Sequence, residues 1–218
     1  MYSCWRTDFS MENFNYFIQS PVSSVIFILT IGLSLYLFSN QHLFGKLMLH
    51  PYSVYRKHRV YTIFTSGLIH KDWGHLLFNM ITFYYFGFGL ESIFAGISAW
   101  GHFLFAILYL FSLVLSDIPT ILQQKNNPGY YSLGASGAIS AVLFGYILFD
   151  PQAELGIFFV IPMKAYLFAV LFMGYSYWAS RKANDGINHS AHLFGALAGL
   201  LLTVLFFPDV IQHFMRQF

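Results

Sequence analysis

The sequence predicts an all-α polytopic membrane protein, one domain over residues 1–218 built as a bundle of six transmembrane helices, and three observations carry that reading. Hydrophobic residues make up 57% of the chain and charged residues 9%, whereas about 25% charged is usual for a soluble globular domain. Eleven Lys and Arg with nine Asp and Glu are too few to cover a water-facing exterior of this size, so most of the surface must meet lipid. The apolar residues also gather into six long stretches. A soluble enzyme is excluded on this balance. A formal net charge of +2, with no basic run or stripe, excludes a nucleic-acid partner. The lone cysteine, Cys4, rules out an internal disulfide and a CxxC metal or redox pair.

Taken in order, residues 1–20 carry Arg6, Asp8 and Glu12 among aromatics, without the basic start and cleavage site of a signal peptide, and read as an interfacial segment. The first span is 21–39. A long first loop, 40–73, mixes Lys46, Arg56, Lys57, Arg59, Lys71 and Asp72 with aromatics, which suits a loop partly embedded in the interface and packed on the helices; an ordinary surface loop fits the composition as well. The second span is 74–95 and the third 101–116. A turn at Asn126, Asn127, Pro128 and Gly129 precedes the fourth, 133–149, whose roughly 17 residues would cover only about 26 Å. That shortfall predicts a helix starting below the membrane surface, under a polar cavity. The fifth, 156–178, has Pro162 inside it and is a candidate lateral gate. The sixth is 187–207.

Polar groups in a bilayer are costly, so each demands a reason. His75 and Asn79 open the second span, Ser136 the fourth, His189 and His192 the sixth. Successive spans alternate direction, so the even-numbered ones enter from one side and bring these residues to similar depth. His75 and Asn79, four apart, share a helix face. Gly137, Ala141 and Gly145 in the fourth span, and Ala191, Gly195 and Gly199 in the sixth, are small residues at intervals of four, a pattern that lets helix backbones approach closely. His192 lies on the small-residue face of its helix and Ser136 adjoins that of its own, so the two stripes could bring hydroxyl and imidazole within hydrogen-bond reach. A neutral imidazole can take the serine proton and return it to a leaving amine. The oxyanion formed would need donors, which Asn79, His75 and the free N–H groups at the start of the fourth helix could supply.

Singly, each group has a plainer role: Ser136 in a small-residue string and His192 as helix-packing residues, Asn79 as interhelical glue, His75 as an interfacial residue. His189, one turn before His192, has no HExxH motif or convergent carboxylate beside it, so no metal and no cofactor are expected.

Gly134-Ala135-Ser136-Gly137, His75-Leu-Leu-Phe-Asn79, and Ala191-His192-Leu-Phe-Gly195 with Gly199 resemble the motifs of the rhomboid family of intramembrane serine proteases. The resemblance implies a six-helix, bacterial-type core. It implies a Ser136 nucleophile and His192 base without a third acidic member, His75 and Asn79 as oxyanion stabilisers, and Glu91 as a structural glutamate. It also implies transmembrane-helix protein substrates within a lipid bilayer, cleaved near small or helix-breaking residues, and a multi-pass protein of a bacterial plasma membrane. Three departures stand out. Tyr61 and Thr62 occupy the place of the family's Trp-Arg pair, with Arg59 nearby. Ser140 stands where many members stack an aromatic on the catalytic histidine. Eight of the eleven cations fall on the side opposite the termini, which a positive-inside count would make cytoplasmic, while the resemblance puts the termini there. Two other readings fit the class: a rhomboid-like pseudoenzyme that binds transmembrane helices without cutting them, and a transporter or channel, which would need a polar path continuing past Glu91.

Overall fold

The structure is a computed structural model, and it describes residues 13–157, 161–183 and 185–218. Cys4 and the greater part of the segment read as interfacial lie outside the described residues; its end forms α1 (Asn13–Gln19). The bundle consists of α2 (Pro21–Phe38), α6 (Trp73–Ile97), α7 (Gly101–Gln124), α8 (Ser136–Phe149), α9 (Ala165–Lys182) and α10 (His189–Phe206). By length and composition α2, α6, α7 and α10 can each cross a membrane. The bundle has an apolar core, but it also exposes apolar side chains that a soluble protein would bury. Val25, Ile28 and Leu29 of α2, Val170 and Leu171 of α9, and Leu201 and Leu205 of α10 are exposed, while Ser23, Thr30, Ser34, Ser112 and Thr203 are buried. Lipid accepts the apolar side chains, and small polar residues let the helices approach.

The central helix is α8, buried along almost its whole length. Its 14 residues rise about 21 Å, against a hydrocarbon core of about 30 Å, so the helix cannot reach both surfaces. It begins at Ser136, three residues later than the sequence reading placed it, because Gly134 adopts φ +118°, outside helical space.

The fifth span needs the largest correction. Residues 154–164 form a hairpin, β1 (Glu154–Ile157) and β2 (Ile161–Lys164), antiparallel with Glu154 opposite Lys164 and Gly156 opposite Pro162. Pro162 therefore lies in a strand, and the membrane helix begins at Ala165. Proline lacks the N–H that a helix interior needs and biases the preceding residue toward extended backbone. The third span runs the other way: α7 continues through Asp117 and Pro119 to Gln124, eight residues beyond the expected stop. A further helix, α11 (Val210–Met215), follows α10.

The long first loop folds onto the bundle as α3 (Gln41–Leu47), α4 (Pro51–Tyr55), α5 (Thr62–Thr65) and a single 3₁₀ turn, Ser66–Leu68. Arg59 anchors it: its guanidinium donates to the carbonyls of Gly45 (2.8 Å) and Lys46 (2.7 Å) at the end of α3. Tyr61, in the place of the family's tryptophan, donates to the Lys46 carbonyl (3.2 Å). The loop is also tied to the segment leading into α8. Leu49 and Ser132 form a reciprocal backbone bridge, the Gly134 N–H donates to the Ser66 carbonyl (2.9 Å), and His50 bonds the Pro128 carbonyl (3.0 Å) while stacking on Tyr131. Arg56 reaches the Lys125 carbonyl (2.7 Å). Two of the eight cations on that side are thus structural.

At the far end of α6, Glu91 is fully buried. Its carboxylate accepts the N–H groups of Val22 (3.1 Å) and Ser23 (2.6 Å) in the first turn of α2 and pairs with His102 (2.7 Å) of α7. A carboxylate at a helix N-terminus satisfies orphan donors and complements the helix dipole. Glu91 therefore fastens three helices together.

Candidate active site

The dyad geometry arises from how α8 and α10 meet. A Cβ on Gly195 would overlap the Gly137 carbonyl, and one on Gly199 would overlap the Ala141 carbonyl, so backbone lies directly on backbone. Gly145 faces Thr203, whose hydroxyl would be 2.7 Å from an added Cβ. Only glycine permits this approach at the first two positions. Gly137 adjoins Ser136, and Gly195 stands one turn after His192. The close seam therefore sets the separation of the Ser136 and His192 side chains.

His192 Nε2 lies 2.8 Å from Ser136 Oγ, and both residues are partly buried. Ser136 occupies the first position of α8, where backbone N–H groups lack intrahelical acceptors and the helix dipole favours negative charge. The His75 ring lies against Gly134, two residues before Ser136: a Cβ there would be 2.7 Å from His75 Cε1 and 2.8 Å from Nε2. That contact, together with the positive φ, makes Gly134 intolerant of a side chain. Nδ1 of His75 is buried and without a hydrogen-bond partner among the described residues, and the His70 ring packs edge-on against it at 4.8 Å. Asn79 is buried on the same helix face, but its amide donates to the His75 carbonyl (2.8 Å). The structure thus brings Ser136, His192 and His75 together and leaves the Asn79 donor occupied by its own helix.

The start of α6 is capped by Asp72, which accepts the His75 N–H (2.7 Å). The start of α10 is capped by Asn188, which accepts the Ala191 N–H (3.0 Å). Asn188 also bonds the Thr120 hydroxyl (2.9 Å) and Ser132 (3.3 Å), linking α10 to α7 and to the approach to α8. One turn of such capping fixes the rotation at which each helix presents its histidine. His189 pairs with Asp185 (3.0 Å), and that hydrogen bond holds the exposed Asp185 carboxyl below the usual carboxylate range.

The Ser140 departure resolves here. Its hydroxyl turns back to the Ser136 carbonyl (2.8 Å), and the aromatic on His192 comes from another helix. Phe172 of α9 stacks on the imidazole with ring centroids 6.2 Å apart and planes inclined by 29°. Phe172 is itself held by Phe144 and Phe168, each at 5.5 Å. One phenylalanine among 26 carries no sequence signal, whereas Asn188, an Asn immediately before a helical run, carried a capping signal.

A family model described as the Rhomboid domain matches residues 57–209. The chain belongs to the rhomboid family. Similar relatives include RHOMBOID-like protein 12, mitochondrial, of Arabidopsis thaliana, 31% identical over 65% of this chain and 45% of the relative. The protein named Putative rhomboid protease YdcA of Bacillus subtilis is 30% identical over 66% of this chain and 65% of its own length. Rhomboid-like protein 11, chloroplastic, of Arabidopsis thaliana is 26% identical over 86% of this chain and 66% of its own. The rhomboid chain thus spans from about half to just under two thirds of the length of these relatives. It is an integral membrane protein of rhomboid type, and the matched region contains Ser136, His192, His75 and Asn79.

Proposed function

We propose that this rhomboid is an intramembrane serine endopeptidase that cleaves transmembrane segments of other membrane proteins through a Ser136–His192 dyad. The observation that carries the reading is the 2.8 Å contact between Ser136 Oγ and His192 Nε2, made across two helices at the start of α8. The Ser136 hydroxyl gives its proton to Nε2 as Oγ attacks a peptide carbonyl. The carbonyl π electrons move onto oxygen, and the N–H groups of the first turn of α8 with the His75 ring donate to that oxyanion. Collapse breaks the C–N bond, and the imidazolium protonates the leaving amine. Water then attacks the acyl-enzyme with His192 as base, releasing the acid and restoring Ser136. Asn79 joins the donors only by exchanging its bond to the His75 carbonyl.

A substrate helix must unwind locally, since helical amides are hydrogen-bonded and covered. Entry past α9 fits its thin packing, with only Ala165, Ser176 and Ala179 buried. The setting included in this proposal is a bacterial plasma membrane; the Bacillus relative supports it, while the mitochondrial and chloroplastic names of the plant relatives favour an organelle membrane.

The test is incubation of the purified protein in detergent with a model transmembrane substrate, beside Ser136→Ala, and labelling with a serine-directed fluorophosphonate. Cleavage lost in Ser136→Ala, and labelling lost in both Ser136→Ala and His192→Ala, are expected. Cleavage that survives Ser136→Ala rejects the mechanism, and absence of both cleavage and labelling in the parent protein makes it a binding pseudoenzyme.

A further inference from the structure

Resting on the protease reading of Ser136, we propose that Asp117 selects the substrate residue on the acyl side of the cut, favouring serine, a short side chain that can donate a hydrogen bond. Beside Ser136 lies a small cavity of about 10 Å³ with mixed walls, its polar side formed by Ser66, Ser116, Asp117, Ser132, Ser136 and Asn188 and its apolar side by residues such as Leu113 and Ala191. Most of its polar groups are committed. Ser116 donates to the Leu113 carbonyl, Ser136 meets His192, and the Asn188 amide is shared among Thr120, Ser132 and Ala191. Asp117 is the exception: among the described residues it has no hydrogen-bond or ion-pair partner, although it sits within a membrane helix. A carboxyl so placed is expensive to keep and is by default a functional group.

Geometry connects the cavity to the scissile bond. When Ser136 Oγ bonds a carbonyl carbon, the side chain of that residue begins two covalent bonds away, within about 3–4 Å of Oγ. The cavity borders Ser136 and Gly134, with Asp117 on its wall. Size then selects the ligand. About 10 Å³ holds one water-sized group. A lysine or arginine stem does not fit, and an alanine methyl fits but leaves the carboxyl without a donor. A serine hydroxyl fills the space and donates to Asp117. A site built to meet a hydroxyl discriminates against the analogue lacking it, because the partly buried Asp117 carboxyl is then left without that donor.

The experiment uses the full chain in detergent and three otherwise identical transmembrane substrates with Ser, Ala or Lys before the cut, together with Asp117→Leu and Asp117→Asn. The wild type is expected to show kcat/KM for Ser at least about ten-fold above Ala, equivalent to about 1.4 kcal/mol, with Lys the poorest. Asp117→Leu is expected to lower the Ser rate at least about ten-fold more than the Ala rate, abolishing the Ser preference. Asp117→Asn, which still accepts a hydrogen bond, retains part of the preference. Equal wild-type rates for Ser and Ala, a Lys substrate cut best, or equal losses for Ser and Ala in Asp117→Leu would each overturn the assignment. Removing an unpartnered carboxyl from a membrane helix does not impair folding, and an unchanged or raised melting temperature of Asp117→Leu checks this. Wild-type protein that cuts none of the three and resists fluorophosphonate fails the protease reading itself, whereas cleavage without discrimination fails only this proposal.

Discussion

Gly195→Ala tests the structural basis of the dyad. The added methyl would overlap the Gly137 carbonyl, a backbone atom that no rotamer change can move aside. Ordinary carbon contacts lie at about 3.5–4.0 Å, so α10 must retreat from α8 by about 1 Å or more. Overpacking of this kind costs about 1–3 kcal/mol, partly offset by alanine's helix propensity, which is better by about 1 kcal/mol. The larger effect falls on chemistry. His192 stands one turn from Gly195, and Ser136 adjoins Gly137, so the 2.8 Å contact opens with the seam. A displacement of about 1 Å at a reacting centre costs on the order of 10²-fold in rate. The matched control is Gly174→Ala in α9, where an added Cβ meets nothing within 4 Å and the propensity gain of about 1 kcal/mol stands alone. Cleavage of a transmembrane substrate, fluorophosphonate labelling rate and thermal unfolding in one detergent would be compared. Gly195→Ala that labels and cleaves like the parent, with no loss of melting temperature relative to Gly174→Ala, would show that the seam does not set the dyad distance.

Glu91→Ala leaves the Val22 and Ser23 N–H groups and His102 without their acceptor, and is expected to destabilise the protein by about 3 kcal/mol in thermal or denaturant unfolding, with Glu91→Gln intermediate. Phe172→Ala removes the ring that stacks on His192, an aromatic contact worth about 0.5–1.5 kcal/mol. It should slow fluorophosphonate labelling, measured below the unfolding transition, by about three- to ten-fold, while Phe172→Tyr restores the rate. A full labelling rate in Phe172→Ala would remove Phe172 from the positioning of the base. Asp185, whose carboxyl is held below its ordinary value of 3.8 by His189, contributes stability that is complete above that value and lost as pH falls through the lower folded one. The melting temperatures of the parent and Asp185→Asn should therefore differ at pH 6 and converge in acid.

Composition fixed the solvent before any contact was known, because twenty charged side chains cannot clothe this chain in water. Length of apolar run and helix parity then put His75, Ser136 and His192 near one face, and small residues every fourth position marked the seam between α8 and α10. These signals are local or periodic, so they survive in one dimension. Where the reading failed, a local cue was outweighed by tertiary packing or misread. The sequence reading ends the third span at residue 116, whereas α7 runs on through Asp117 and Pro119 to Gln124. Pro162 was absorbed into a helix that begins only at Ala165. Phe172 on the imidazole, Arg59 on the end of α3 and Asp117 beside Ser136 depend on distances between elements far apart in the chain. The sequence by itself singled out Ser136, His192, His75 and Asn79 and set them on the even-numbered spans. Only the tertiary structure decided how they are aimed, since orientation follows from helix rotation and from backbone packed against backbone, which no periodicity encodes.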